Sequence, residues 1–313
     1  MRTVSEEDNI RKITLAAEMY YIYDMPQKEI AERLGVSRPW VSKLLKRAKE
    51  MGIVRIEINS PLVGVPEMEK RIRERYRINH VCVIRPLVGG DYTNISMAAA
   101  NYLVSHLESR DVIGVSWGSS IARMIDHVVG MQLPGAMVVP IVGGAGSDAD
   151  CLSNVNANRL SHALSAGCRL LHANAYCADQ KEYQVVMSNL MNKEVIEQGE
   201  HCNVALVGIG GMKNSRVLGY DYVTHEDRDQ IMASHVVGDV AFRFIDKGGD
   251  VADLDFNNRV VACNLSKIRR NAREVIAIAY GTEKAEAIKA VLKGGLLTTL
   301  FTDYNTAQLL TEM

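Results

Sequence analysis

The chain has 313 residues, of which 47% are apolar and 23% charged, and its net charge is −1. That length suits about two domains, and that composition excludes a disordered, collagen-like or uniformly basic chain. The charge is uneven: residues 1–60 carry 11 Lys and Arg against 9 Asp and Glu, while the remainder carries 25 against 28. A nucleic-acid-binding surface, if there is one, is therefore local, a small reading head on a neutral body.

The first predicted helix covers residues 6–23, with Ile10, Ile13, Leu15, Ala16, Ala17, Met19 and Tyr20 as its apolar side and Ser5 and Asp8 as its cap. Residues 27–46, QKEIAERLGVSRPWVSKLLK, then read as two helices and a turn. Ile30, Ala31 and Leu34 make a narrow apolar stripe on the first. Gly35 ends it in a left-handed conformation, Ser37 caps the second helix, and Pro39 fits the first turn. Val41, Leu44, Leu45 and Ala48 face inward, which leaves five basic side chains and no acid outside between residues 38 and 49.

This is the helix-turn-helix pattern, whose second helix enters the major groove. The predicted DNA-facing residues are Arg38, Trp40, Ser42, Lys43, Lys46 and Arg47, together with Gln27 and Ser37 at the two helix starts. Lys49 adds a phosphate contact. IVRIEIN, from residue 53, alternates like a strand and suggests a wing with Arg55 near the DNA backbone. NSPLVGVP at 59–66 reads as a linker, so the head is predicted to span 1–58 and the body 67–313.

The charged run EMEKRIRERYR, at 67–77, predicts a helix that serves as a spacer or subunit contact. Beyond it, apolar strands alternate with amphipathic helices. Strands are predicted at 81–85, 112–116, 136–142, 168–173, 204–210, 274–280 and 295–301, and helices at 94–108, 119–129, 155–166, 182–198, 283–293 and 304–311. Strands this apolar are covered on both faces, which predicts a mostly parallel α/β sheet.

Ligands bind such sheets at strand-to-helix turns. GVSWGSSIARM offers Gly118, Ser119 and Ser120 at a helix start, a seat for a phosphate or else a plain glycine turn with a serine cap. VGGAG at 142–146 and GIGGM at 208–212 are further glycine-rich exits, but neither carries the dinucleotide fingerprint. Asp239, next to an apolar run, could accept hydrogen bonds from hydroxyls, and Lys284 lies at the correct end of a strand to meet an anion; each is otherwise a surface or capping residue.

No nucleophile–base set and no metal-ligand spacing is present, so no catalytic residue, metal or cofactor is expected. Asp239 and His172 are the only acid–base candidates for an enzymatic alternative. The six cysteines lack C-x-x-C spacing, residues 5–12 are too polar for a signal peptide, and no apolar run is long enough to span a membrane. A cytoplasmic protein with reduced thiols is expected.

These motifs, above all EVIAIAYGTEKAEAIKAVLKGGLLTTLFTDYNTAQLL, resemble the SorC family of bacterial sugar-responsive transcription regulators over nearly the full length. The resemblance implies a helix-turn-helix head and an α/β effector domain of the glucosamine-phosphate deaminase and ribose-phosphate isomerase type. It implies operator DNA and a phosphorylated sugar or polyol as partners, and a homo-oligomer, dimer or tetramer. It places Gly118, Ser119 and Ser120 at the phosphate loop, Trp117 as a pocket wall, Asp239 on sugar hydroxyls and Lys284 beside the phosphate. Tyr280 departs from a common glycine, and Asn174 from a common proline.

Overall fold

The computed structural model describes residues 4–54, 65–86, 91–144 and 152–312. The backbone forms two compact units, Met1–Asn59 and Ser60–Met313. The expected wing beyond Val54, with Arg55, most of the expected linker, and residues 145 and 146 of the VGGAG turn lie outside the described residues.

The first unit is three helices, α1 (Val4–Tyr21), α2 (Gln27–Leu34) and α3 (Arg38–Glu50). Their shared core is Ile13, Ala16, Ala17, Ile30, Ala31, Val41, Leu44, Leu45 and Ala48, all buried. Small Ala31 and Ala48 fit this core, in which α2 and α3 meet across a short turn. Gly35 makes that turn possible, with φ 62° and ψ 38°. Two expectations for α1 fail. Leu15 is 40% exposed, because the inward stripe runs through Ile13, Ala16 and Ala17. The helix also includes Val4, so Ser5 lies inside it and not at its start.

The second unit begins with α4 (Pro66–Tyr76), β1 (His80–Ile84), α5 (Thr93–His106), β2 (Val112–Val115), α6 (Ser119–Ile125), β3 (Met137–Pro140), α7 (Ser153–Leu164) and β4 (Gly167–Cys168). There follow α8 (Gln180–Ser188), α9 (Leu190–Glu200), β5 (Val204–Val207), β6 (Ile209–Gly211), α10 (His225–Ala233), β7 (Val236–Val240) and β8 (Arg243–Asp246). The chain closes with α11 (Asp255–Asn258), α12 (Leu265–Asn271), β9 (Glu274–Ile278), α13 (Ala285–Lys293), β10 (Thr299–Asp303) and α14 (Tyr304–Glu312). Seven strands form one parallel sheet in the order β1-β10-β9-β5-β2-β3-β4. Strands β6, β7 and β8 form a separate antiparallel sheet.

The antiparallel sheet departs from the expected alternation, since no strand is predicted where β7 and β8 lie; the other differences are local. The run at 204–210 is two strands in two sheets, since the chain leaves β5 at Gly208 and enters the antiparallel sheet as β6. The run at 168–173 gives only a two-residue strand before turning away. Asn189 splits the helix expected at 182–198, accepting hydrogen bonds from Met191 and Asn192 as an N-cap. Helix α4 packs one side on the second unit and leaves its charged side exposed. Its Ile72 is buried, Glu69 accepts from the Val83 N–H at 2.9 Å, and Arg75 donates to the Thr311 carbonyl at 3.0 Å. That helix is a wall of the second unit, a role its charge run conceals.

Candidate DNA-reading helix and effector cavity

In the first unit, packing decides which residues α3 presents to solvent. Burying Val41, Leu44, Leu45 and Ala48 exposes Arg38, Trp40, Ser42, Lys43, Lys46, Arg47 and Lys49. Ser37 is exposed and Gln27 half-buried. Ser37 occupies the N-cap with extended backbone, but its hydroxyl makes no cap hydrogen bond; its carbonyl accepts from Trp40 and Val41 instead. The exposed basic residues are held only loosely. Lys46 stands 3.8 Å from Glu50, and Lys49 lies 5.7 Å from the Tyr21 ring. Exposed pairs of this kind contribute about 0–1 kcal/mol, so these cations remain available to phosphates.

In the second unit, Trp117, Gly118, Ser119, Ser120, Asp239 and Lys284, all six effector residues expected from the sequence, line one cavity of about 130 Å³. They arrive from three places. Trp117 to Ser120 follow β2, where Gly118 takes φ 125°, open to glycine alone at low cost. Asp239 lies in β7, opposite Gly210 of β6. Lys284 follows β9, in a turn whose Gly281 has φ 101° and donates its N–H to Asp303 Oδ2 at 2.8 Å. Helix α6 has only seven residues, so its dipole is weaker than the sequence suggested. The groups here with the chemistry to meet an anion are Lys284, the hydroxyls and the backbone N–H groups.

Asp239 is fully buried. Burial pushes its carboxyl up to about 7, although the Lys284 charge and the Phe242 N–H favour the carboxylate. Burial in turn pulls the Lys284 ammonium down, against the pull of Glu283 and Asp239. The two groups are thus poised against desolvation, and a bound anion would favour charged Lys284. Beside them, Ala241 and Phe242 take φ 48° and 71° in the β7–β8 turn, a conformation that costs a non-glycine residue roughly 1–2 kcal/mol. That turn sends Phe242 against Trp117, with ring centroids 5.4 Å apart, and so backs the Trp117 wall.

The structure adds residues that the sequence reading missed. Gly208, Gly210 and Gly211 line the cavity, so GIGGM is a floor for this site and not a dinucleotide turn. Asn214 and Arg216 stand at its rim; they belong to an irregular segment with no periodic signal. Tyr280 is buried outside the cavity lining, stacked on Tyr92 at 4.2 Å, and accepts a hydrogen bond from Arg123 at 3.0 Å. His172 lines a separate cleft, away from Asp239. Among the described residues, no group of three His, Cys, Asp or Glu is placed to hold a metal, and no helix is long and apolar enough to cross a membrane.

Residues 60–312 match a protein family described as "Putative sugar-binding domain", and residues 18–50 match the family described as Sigma-70, region 4. The chain is 30% identical to the sorbitol operon regulator of Klebsiella pneumoniae, with 98% of this chain and 99% of that one covered. It is 27% identical to the deoxyribonucleoside regulator of Bacillus subtilis, with 94% and 95% covered. The crystal structure of the full-length Klebsiella regulator superposes with a TM-score of 0.73 at 29% identity, covering 97% of this chain and 99% of that chain.

Proposed function

The chain belongs to the SorC family of DNA-binding, sugar-responsive transcription regulators, and on that premise we propose that its effector is a phosphorylated sugar or polyol held by Lys284, Asp239 and the Gly118–Ser120 turn. The observation that carries this reading is the convergence of a half-buried cation, a buried acid and two serine hydroxyls on one small cavity. The cation and the hydroxyls suit a phosphate, and the acid suits the hydroxyls of the carbon skeleton. Arg216 at the rim favours a dianion over a neutral sugar.

Arg38, Trp40, Ser42 and Lys43 read bases or nearby phosphates, and Lys46, Arg47 and Lys49 contact phosphates. The head ends near residue 58 and the body begins near residue 67. The protein acts in the cytoplasm as a dimer or tetramer on a palindromic operator of a carbohydrate or polyol catabolic operon. The sugar phosphate alters DNA binding because it binds one of two states of the oligomer more tightly.

Thermal unfolding against a panel of phosphorylated and free sugars and polyols tests the effector. A ligand specific to the folded state, at a hundredfold excess over its dissociation constant, adds about 2.7 kcal/mol. A shift with a phosphorylated compound and not with its free form supports the reading, as does its loss in Lys284→Ala. No shift with any phosphorylated compound sinks it.

A sugar-phosphate isomerase or deaminase is the second reading, favoured by one observation: a buried acid near 7 is what a general base needs. With His172 in another cleft, Asp239 has no acid–base partner among the groups expected from the sequence. Absence of turnover over the same panel supports the non-enzymatic regulator, and turnover of one compound overturns it.

A further inference from the structure

The cavity around Lys284 is small. At about 130 Å³ it falls below the roughly 300–1,000 Å³ usual for small-ligand pockets, so it takes a phosphate and little of the skeleton behind it. A second cavity of about 1090 Å³ opens beyond the neighbouring strand. Strands β2 and β3 pair in parallel, with Val115 beside Pro140, and adjacent strands lie about 4.8 Å apart. The anion seat hangs from the end of β2 and the large cleft from the end of β3. Trp117 of the first and Tyr220 of the second lie with ring centroids 6.3 Å apart, so the two cavities adjoin at one aromatic pair.

The cleft wall is built from tyrosine. The rings of Tyr220 and Tyr222 stack at 5.2 Å and 10°, and those of Tyr222 and Tyr176 at 6.2 Å and 23°. Tyr176 is fixed from behind. Its hydroxyl donates to Asp227 at 2.6 Å, its ring stacks on Phe256 at 4.6 Å, and the Arg259 guanidinium covers it at 4.9 Å. Tyr222 is 42% exposed on this rigid platform. Around it stand Asn174, Asp221, Glu182 and His172, and no lysine or arginine lines the cleft among the described residues. A second phosphate is therefore not its occupant. An aromatic face with carboxylates and an amide at its edge matches an uncharged sugar ring. Its C–H face meets the negative face of the tyrosine, and its hydroxyls meet the polar rim. The exit of β3 permits this only because Gly143 has no β-carbon, which would stand 2.5 Å from the Asn174 backbone.

We propose that this cleft is a second sugar subsite and that the effector is a phosphorylated disaccharide or glycoside, with its phosphate at Lys284 and its uncharged ring on Tyr222. This rests on the phosphorylated-sugar reading above. The experiment is calorimetric titration of the full-length protein with trehalose 6-phosphate, sucrose 6-phosphate and cellobiose 6′-phosphate, each against its component hexose 6-phosphates. At least one disaccharide phosphate is expected to bind tenfold or more tightly than its components. Tyr222→Ala and Asp221→Asn are expected to remove that advantage while leaving hexose 6-phosphate affinity within about twofold. If hexose 6-phosphates bind in a Lys284-dependent way and no disaccharide phosphate binds more tightly, the second subsite is overturned and the phosphate seat stands. If a disaccharide phosphate gains affinity but both variants retain the gain, the subsite lies elsewhere and the assignment fails. If no phosphorylated compound of either kind binds, both readings fall.

Discussion

Gly210 and Asp239 face each other across the β6–β7 register, and the Asp239 carboxylate fills the space that a β-carbon on Gly210 would need. A glycine on one strand thus lets an acid on its neighbour lie flat against the backbone and face the cavity. The glycine-rich run is read by its neighbour's side chain, not by a nucleotide.

Gly210→Ala is therefore expected to act as a mutation of Asp239. The added methyl group displaces the carboxylate, at an overpacking cost of about 1–3 kcal/mol. Effector-induced stabilisation is lost while operator affinity measured without effector stays near wild type. An unchanged effector response in Gly210→Ala would show that Asp239 does not set the site.

The raised Asp239 carboxyl gives a pH signature with a definite sign. In the folded chain it holds its proton up to about 7, while the unfolded chain releases it near the ordinary 3.8. Between these values the folded state binds more protons, so the stability contributed by this group is full below about 4 and lost as pH rises through about 7. Unfolding free energies measured from pH 4.5 to 7.5 (roughly this window) are expected to fall relative to those of Asp239→Asn, by an amount on the order of a few kcal/mol. Parallel curves for the two proteins would refute the assignment.

Arg259 holds the wall behind the tyrosine platform. It pairs with buried Asp227 at 2.5 Å and with Asp255 at 3.1 Å, and it also donates to Tyr176 Oη. Arg259→Ala leaves Asp227 buried without its cation and is expected to cost about 3–5 kcal/mol in chemical denaturation. Asp227→Asn in the Arg259→Ala background should recover part of that loss. A cost below about 1 kcal/mol would mean that water replaces the guanidinium.

On α3, Arg38→Ala and Lys43→Ala are expected to weaken operator binding with little change in the unfolding midpoint, since both side chains are exposed. Where the lost contact is to a phosphate, the slope of log affinity against log salt falls by about one. Lost affinity with an unchanged salt slope marks a base contact, as expected for the first turn of the reading helix. If neither variant weakens operator binding, α3 is not the reading helix.

The sequence by itself determined the three helices of the head and the alternation of strands and helices along the chain, because both depend on local rules. Apolar spacing decided which face of α3 is buried, and Gly35 decided the turn. Apolar runs alternating with amphipathic ones made a parallel sheet the only economical way to cover both faces. Motif resemblance also picked out six of the residues that line the small cavity. Only the tertiary structure decided that Asp239 and Lys284 share that cavity with Trp117 to Ser120, since these come from separate crossovers and no spacing rule links them. It alone placed Arg216 at the rim, made GIGGM a floor, and set Tyr176, Tyr220 and Tyr222 in one wall. Those residues lie in irregular segments or short antiparallel strands, where position is decided by long-range packing and not by the periodicity of the residues themselves.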